Sequence, residues 1–291
     1  MKTNKPIPFR LQKSENHGLL VQVDETQYFY NKLHYHPEFQ ITAIIKGDGI
    51  FYAGNNMSAF TENDVFIIGS SIPHLLKCSD IFHSDHSPGV KGVSLFFNTN
   101  SFGNEFFEKK EMQRLKALLQ DAKRVIKVSG ELKKDLLNKI GSTPALQNEK
   151  LIITFLEILS LIAQSEKEYL NAEHYNLKLN NNEGERLNKV LDHTFQHYRE
   201  EITIDQIAKV ALLSRSQFSY FFKLHTSKTF IQFVNELRIE KACILLKDRN
   251  HTVEQICYEV GFKNVSNFLR HFKRTKGISP SIYRKSWTII E

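Results

Sequence analysis

The stretch TVEQICYEVGFKNVSNFLRHFK, residues 252–273, decides the fold of this 291-residue chain. Thr252 can cap a helix that turns Val253, Ile256 and Val260 inward, and Gly261 follows where a tight turn needs a positive φ. Phe262, Phe268 and Phe272 then form the buried side of a second helix. Lys263, Asn264, Ser266, Asn267, Arg270 and His271 are left facing outward. Two short helices joined by a tight turn, the second presenting hydrogen-bonding side chains, make a helix-turn-helix whose second helix can read base edges in a major groove. Arg270 is the strongest single reader, because a guanidinium pairs bidentately with guanine or clamps a phosphate.

The same unit occurs upstream, in TIDQIAKVALLSRSQFSYFFK, residues 203–223. Thr203 and Gln206 echo Thr252 and Gln255 at an offset of 49, and Phe218, Phe222 and Lys223 echo Phe268, Phe272 and Lys273 at an offset of 50. An all-helical repeat of this length is one supersecondary unit used twice. Thr203 caps the first helix, with Gln206 placed as in a capping box, and Ser214 caps the second. Burial of Phe218, Phe221 and Phe222 leaves Arg215, Ser216, Gln217, Ser219 and Tyr220 outward. Between the units, residues 230–247 put Phe233, Leu237, Ala242, Leu245 and Leu246 on one stripe. A helix of about 15 residues is about 22 Å long, and successive major-groove faces lie about 34 Å apart. With the width of each unit added, one chain can reach two adjacent groove segments. Because the two outer faces differ, the site it reads is asymmetric.

Charge is distributed to match. The chain carries a formal +7, of which residues 183–291 hold +6 and residues 1–182 hold +1. A basic surplus confined to one segment is the electrostatic footprint of a phosphate-binding surface. The three cysteines, Cys78, Cys243 and Cys257, are odd in number and far apart, which argues against a disulfide framework or a Cys-based zinc site and suits a reducing compartment. The first residues lack the apolar core of a signal peptide and no run is long enough to span a bilayer, so a cytoplasmic location without membrane contact is expected.

RIEKA at 238–242 with Leu245 and Leu246, TVEQI at 252–256, Gly261 and Phe262, SNF at 266–268, RHFK at 270–273, GISP at 277–280, and Tyr283 with Arg284 together resemble the signature of the AraC/XylS family of transcription regulators. The resemblance covers roughly the last hundred residues. Two departures stand out: Cys257 where the family usually has Ala, and Ser227 where Gly is usual before Phe230. The resemblance implies two helix-turn-helix subdomains joined by a linking helix, with base contacts from the outer residues of both recognition helices. It also implies a small-molecule effector pocket in the N-terminal half.

That half reads as strands. Phe39–Ile45, Gly49–Ala53, Asp64–Ile68 and Val90–Phe97 are β-branched and aromatic runs broken by turn residues around Gly47–Gly49 and Gly54–Asn56, a pattern of sandwiches and barrels. His34, His36, Glu38, Phe39, the hairpin near Gly47, and Ile72, Pro73 and His74 are similar to the cupin-type barrel that often precedes this DNA-binding domain. Histidines two apart on a strand share a face, and with His74 they make a conceivable three-nitrogen metal site. The metal-binding pattern wants a carboxylate a few residues on, where this chain has Gln40 and Ile41. The expectation is therefore no metal and no cofactor, with His34, His36, Phe51 and His74 lining the effector pocket that the family resemblance implies.

Beyond residue 104 the period changes. Met112–Lys127 places Leu115, Leu118, Leu119, Ala122 and Ile126 on one helical stripe, and Leu146–Tyr169 reads as a longer helix apolar over much of its girth. Such a helix packs on its own barrel or in a dimer interface. The architecture expected is α+β and multidomain. A cupin-like barrel spans 1–104, a helical dimerisation segment 105–170, a linker 171–185, and an all-α DNA-binding domain 186–291 with helix-turn-helix units near 203–223 and 252–273. The function expected is an effector-responsive, sequence-specific transcription regulator without catalytic residues. It would act as a homodimer on a double-stranded operator, with RNA polymerase as a further partner. The rivals are a metal-dependent cupin enzyme carrying a nucleic-acid domain and an effector-free architectural DNA binder.

Overall fold

The computed structural model describes residues 18–171, 179–248 and 250–286. Strands β1 (Leu19–Thr26), β2 (Phe39–Lys46), β3 (Gly49–Ala53), β4 (Asn56–Phe60), β5 (Val65–Ile68), β6 (His74–Cys78) and β7 (Val90–Phe97) come first. They are followed by α1 (Gln113–Asp121), β8 (Ile126–Ser129), α2 (Lys133–Ser142), α3 (Asn148–Gln164) and β9 (Glu166–Tyr169). All pairing is antiparallel, in a sheet of order β1-β7-β2-β5-β8-β9 and a second of order β4-β3-β6.

Strand alternation sorts the side chains into layers. Along β2, Phe39, Ile41 and Ala43 face outward and are buried beneath Leu118 of α1, Leu136 of α2 and Phe155 and Ile158 of α3. Gln40, Thr42 and Ile44 face the opposite sheet. Ile44 joins Phe51, Phe60, Phe66, Ile68 and Cys78 in the apolar interior, while Gln40 and Thr42 stand opposite Phe96 and Ser94 of β7. The space between the sheets is thus apolar at one end and polar at the other.

Three sequence expectations change here. The helix expected over Met112–Lys127 ends at Asp121, continues as a short 3-10 turn over Ala122–Arg124, and gives way to β8, where Ile126 pairs with Ile67. The helix expected over Leu146–Tyr169 ends at Gln164, and β9 pairs with β8. Both strands have β-branched or alternating residues that fit a helical stripe equally well, and the unpaired edge of β5 decides in favour of strand. Residues 105–170 are therefore not a separate helical segment, since they extend the six-stranded sheet. The linker expected over 171–185 is shorter. Asn171 is buried, hydrogen-bonded to the carbonyls of Ala53 and Arg124, and helix α4 (Asn181–His197) starts within the expected linker. Asn180 caps that helix in a reciprocal box with Glu183, which is why a polar Asn-rich run becomes helix.

The C-terminal domain continues with α5 (Ile204–Val210), α6 (Arg215–Thr226), α7 (Phe230–Leu245), α8 (Val253–Glu259), α9 (Val265–Lys276) and α10 (Pro280–Ser286). Capping boxes start α5, α6, α7 and α8: Thr203 with Gln206, Ser214 with Gln217, Thr229 with Gln232, and Thr252 with Gln255. Phe218, Phe222, Phe230 and Phe233 pack edge to face in one unit, and Phe262, Phe268 and Phe272 form the corresponding core of the other. Arg238 of α7 donates to the carbonyls of Tyr198 and Glu200, closing the C-terminal end of α4. The outer face of the β4-β3-β6 sheet is covered by this domain. Ile50, Tyr52, Met57 and Leu75 share a buried cluster with Leu187 and Leu191 of α4 and Phe233 and Leu237 of α7.

The two helix-turn-helix turns are built on the same plan from different residues. Leu212 has φ +55 and Gly261, at the equivalent position, φ +95. A Cβ on Gly261 would stand 2.6 Å from the Arg199 carbonyl oxygen. Gly261→Ala is expected to destabilise the protein by about 2 kcal/mol or more, through strain and clash together. Leu212 is 79% exposed and packs little. Leu212→Gly is expected to stabilise by a few tenths to about 1 kcal/mol, because a left-handed L-residue costs roughly 1–2 kcal/mol against the smaller backbone entropy cost of Gly. Urea melts of the two variants should move in opposite directions, and a shared direction would refute the assignment of strain to this turn.

Candidate functional site

The residues expected to read DNA in the first unit, Arg215, Ser216, Gln217, Ser219 and Tyr220, all stand in solvent on or at the exposed side of α6. Tyr220 is 72% exposed. Gln217 has a second duty, because its Oε1 accepts from the Ser214 N–H at 3.0 Å as the box residue of its helix. Ser219 donates to the Arg215 carbonyl at 2.9 Å.

In the second unit the expected readers divide. Ser266 and Arg270 are exposed on α9, and Lys263 is paired with Glu201 at 2.6 Å. Asn264 is the N-cap, its Oδ1 accepting from the Asn267 N–H at 2.8 Å. Its side-chain oxygen is therefore committed to the helix start rather than turned outward. Asn267 is half-buried and accepts from Arg270 Nη2 at 2.7 Å, which fixes the direction of the guanidinium. His271 is half-buried against the Phe262 ring, and burial, then Arg274 and Arg270, lower its pKa. Exposed Arg274, bonded to His271 at 3.1 Å, is an additional cation on this face that the repeat alone did not single out. Its signal lay in the basic last turn of the helix.

In the N-terminal domain His34, His36 and His74 come together at the polar end of the interior. One ligating atom from each lies within 4.8 Å of the others. His34 is held by a two-way backbone bridge to His74 rather than by a regular strand, and Pro37 separates His36 from β2. The rings of His34 and His74 are 4.3 Å apart, and His36 packs edge-on to Phe96. Phe51 does not join them, since it lies in the apolar cluster with its ring 4.5 Å from that of Phe66. Gln40, where a carboxylate had been sought, places Oε1 3.0 Å from Nε2 of both His36 and His74. Buried Glu38 stands 3.7 Å from His36 Nδ1.

Burial keeps these imidazoles neutral. It pushes His34 down to about 4 despite the Lys32 carbonyl, and it lowers His36 despite Gln40 and Glu38. Burial, then the neighbouring His34 and His36, hold His74 well below the ordinary value. A histidine whose folded pKa is depressed contributes stability that is fully present above the unfolded value of 6.5 and is lost as pH falls towards the folded one. The melting temperature should therefore fall as pH drops from 6.5 towards 4, and His34→Asn should flatten that fall. Identical pH profiles for wild type and variant in scanning calorimetry would contradict it.

Residues 207–286 match the family described as a helix-turn-helix domain, and residues 18–80 match the AraC-like ligand-binding domain. The chain is 24% identical over 265 residues to the HTH-type transcriptional regulator YdeC of Bacillus subtilis, covering 88% of this chain and 87% of that protein. It is also 24% identical over 265 residues to the raffinose operon transcriptional regulatory protein RafR of Pediococcus pentosaceus, covering 89% of each. Among solved structures, unsaturated fatty acid-bound ToxT from Vibrio cholerae aligns over 91% of this chain and 94% of its own, with 20% identity and a TM-score of 0.36.

Proposed function

Since this chain is an AraC-type DNA-binding transcription regulator with a ligand-binding domain ahead of its helix-turn-helix domain, we propose that α6 and α9 enter two adjacent major-groove segments of one operator. The observation that carries this reading is the duplicated capped helix pair whose second helices turn polar and basic side chains to solvent. Helix α7 has 16 residues, about 24 Å of rigid spacer. Arg215, Ser216, Gln217, Ser219 and Tyr220 form the first reading face, and Lys263, Asn264, Ser266, Asn267, Arg270 and His271 the second. Asn264 serves there by holding the helix start, at which backbone N–H groups face a phosphate.

The N-terminal domain receives the effector at its polar end, and the reading assigns no catalytic step. A homodimer forms on the apolar groove between β1 and α3, lined by Leu19, Val21, Phe102, Leu151 and Ile152, with Ile153 of α3 beside it 55% exposed. RNA polymerase is its further partner at a promoter. No helix among the described residues is long and apolar enough to cross a membrane. On this reading the chain acts on chromosomal DNA in the cytoplasm.

Fluorescence anisotropy with duplexes from the gene's own upstream region tests the reading. Affinity should fall steeply with salt and differ strongly between operator and scrambled duplex. Arg270→Ala should cost about 1–3 kcal/mol, confined to one base position if the guanidinium reads a base. A loss equal for all sequences would reassign Arg270 to phosphate, and equal binding to every duplex by the wild type would overturn the proposal.

A further inference from the structure

Helices α6 and α9 each have 12 residues and correspond to one another at an offset of 50. On the inner side Phe218 and Phe222 correspond to Phe268 and Phe272, and on the outer side Ser216 and Lys223 correspond to Ser266 and Lys273. Two outward positions change in chemical kind. Tyr220 stands where the second unit has Arg270, and Leu224 where it has Arg274. All four are exposed, Tyr220 by 72% and Leu224 by 42%. Positions 220 and 224 are neighbours on a helix surface. One face of α6 thus presents an aromatic and an aliphatic side chain where α9 presents two guanidinium groups.

Several polar groups around Tyr220 are engaged within their own helix. Gln217 Oε1 accepts from the Ser214 N–H at 3.0 Å, Ser219 donates to the Arg215 carbonyl at 2.9 Å, and Ser216 Oγ lies 3.3 Å from Ser214 Oγ. On α9 the engagement favours the cation instead, since Asn267 Oδ1 accepts from Arg270 Nη2 at 2.7 Å and steers the guanidinium. An uncharged ring gains nothing from the charge of a phosphate. Set into a major groove, it meets one apolar group there, the C5 methyl of thymine, because the remaining base edges present donors and acceptors.

We propose that the two recognition helices read different chemistry: Tyr220, flanked by Leu224, packs on thymine methyl groups in one groove segment, while Arg270 and Arg274 make the ionic contacts of the next. The assignment rests on the DNA-binding reading above and adds to it the base class beneath α6. It also divides the salt dependence between the helices. A cation set on a phosphate releases about one counterion, so its contribution weakens as salt rises. At the equivalent outward positions α9 carries Arg270, Lys273 and Arg274, whereas α6 carries Lys223 alone. Contact between Tyr220 and a methyl group is apolar and is not screened. Sequence preference under α6 therefore persists at salt concentrations that weaken the hold of α9.

Anisotropy of the full chain on duplexes from the gene's own upstream region tests the assignment. The thymines of one window of about ten base pairs, one helical turn, are replaced by deoxyuridine at a time. This exchange deletes only the methyl group. Affinity should fall about 3-fold or more in one window and hold in the window a turn away. Tyr220→Ala should bind the thymine and deoxyuridine duplexes equally and leave the slope of log affinity against log salt unchanged. Arg274→Ala should lower that slope by about 1 and keep the uracil effect, and Tyr220→Arg should steepen it by about 1. Comparing two duplexes on one protein cancels any loss of folded chain. Tolerance of deoxyuridine in every window, or an undiminished uracil effect in Tyr220→Ala, overturns the assignment while leaving the DNA-binding reading standing. Equal affinity of the wild type for operator and scrambled duplexes instead overturns that reading, and the assignment with it.

Discussion

The outer face of the β4-β3-β6 sheet is apolar, and the covering helices α1, α2 and α3 lie on the opposite side of the domain. Ile50, Tyr52, Met57 and Leu75 must be removed from water, at about 1.5–3 kcal/mol for each large side chain. Among the described residues, α4 and α7 of the DNA-binding domain cover them. The reader is thus part of the sensor's own core. Polar contacts fix the register of this packing. Buried Glu240 of α7 accepts from the Ala59 N–H of β4 at 2.9 Å and pairs with Lys276 of α9 at 2.6 Å. One carboxylate joins the sheet edge, the linking helix and a recognition helix, and losing any one partner would leave a buried charge poorly compensated.

The two helix-turn-helix units share one plan but differ in detail. Where the second unit has Gly277 at φ +75 to end its recognition helix, the first has Ser227 at φ +59. Its hydroxyl accepts from Asn55 Nδ2 of the β3-β4 turn at 3.1 Å. The departure from Gly noted in the sequence thereby gains a physical meaning: some backbone strain is accepted in exchange for a contact with the sensor. The first unit is tied to the N-terminal domain through its helix end, whereas the second is tied through Glu240 and Lys276. The two helix-turn-helix units are thus joined to the N-terminal domain by different contacts.

The histidine cluster shows where sequence reasoning stops. The spacing of His34, His36 and His74 suggested a common site, and Gln40 in place of a carboxylate argued against a metal. Only the tertiary arrangement shows Thr42 and Ser94 turning the Gln40 oxygen toward both imidazoles. Phe51, placed on the pocket wall by analogy, went to the apolar end because strand alternation puts it opposite Phe66.

By itself the sequence determined the features whose physics is local. Caps at Thr203, Ser214 and Thr252, the turn at Gly261 and the phenylalanine stripes of the repeats each depend on residues three or four apart, so these features were legible, whereas Asn264, read as outward, caps α9. The early strands were legible from alternation and turn residues. What the tertiary structure decided depends on partners distant in the chain: Ile126 as strand rather than helix, Asn188 clasping Leu33, and Glu240 bridging Ala59 and Lys276. Hydrogen-bond donors on one element choose among acceptors on another only once packing has brought them together, and no period in the sequence records that choice.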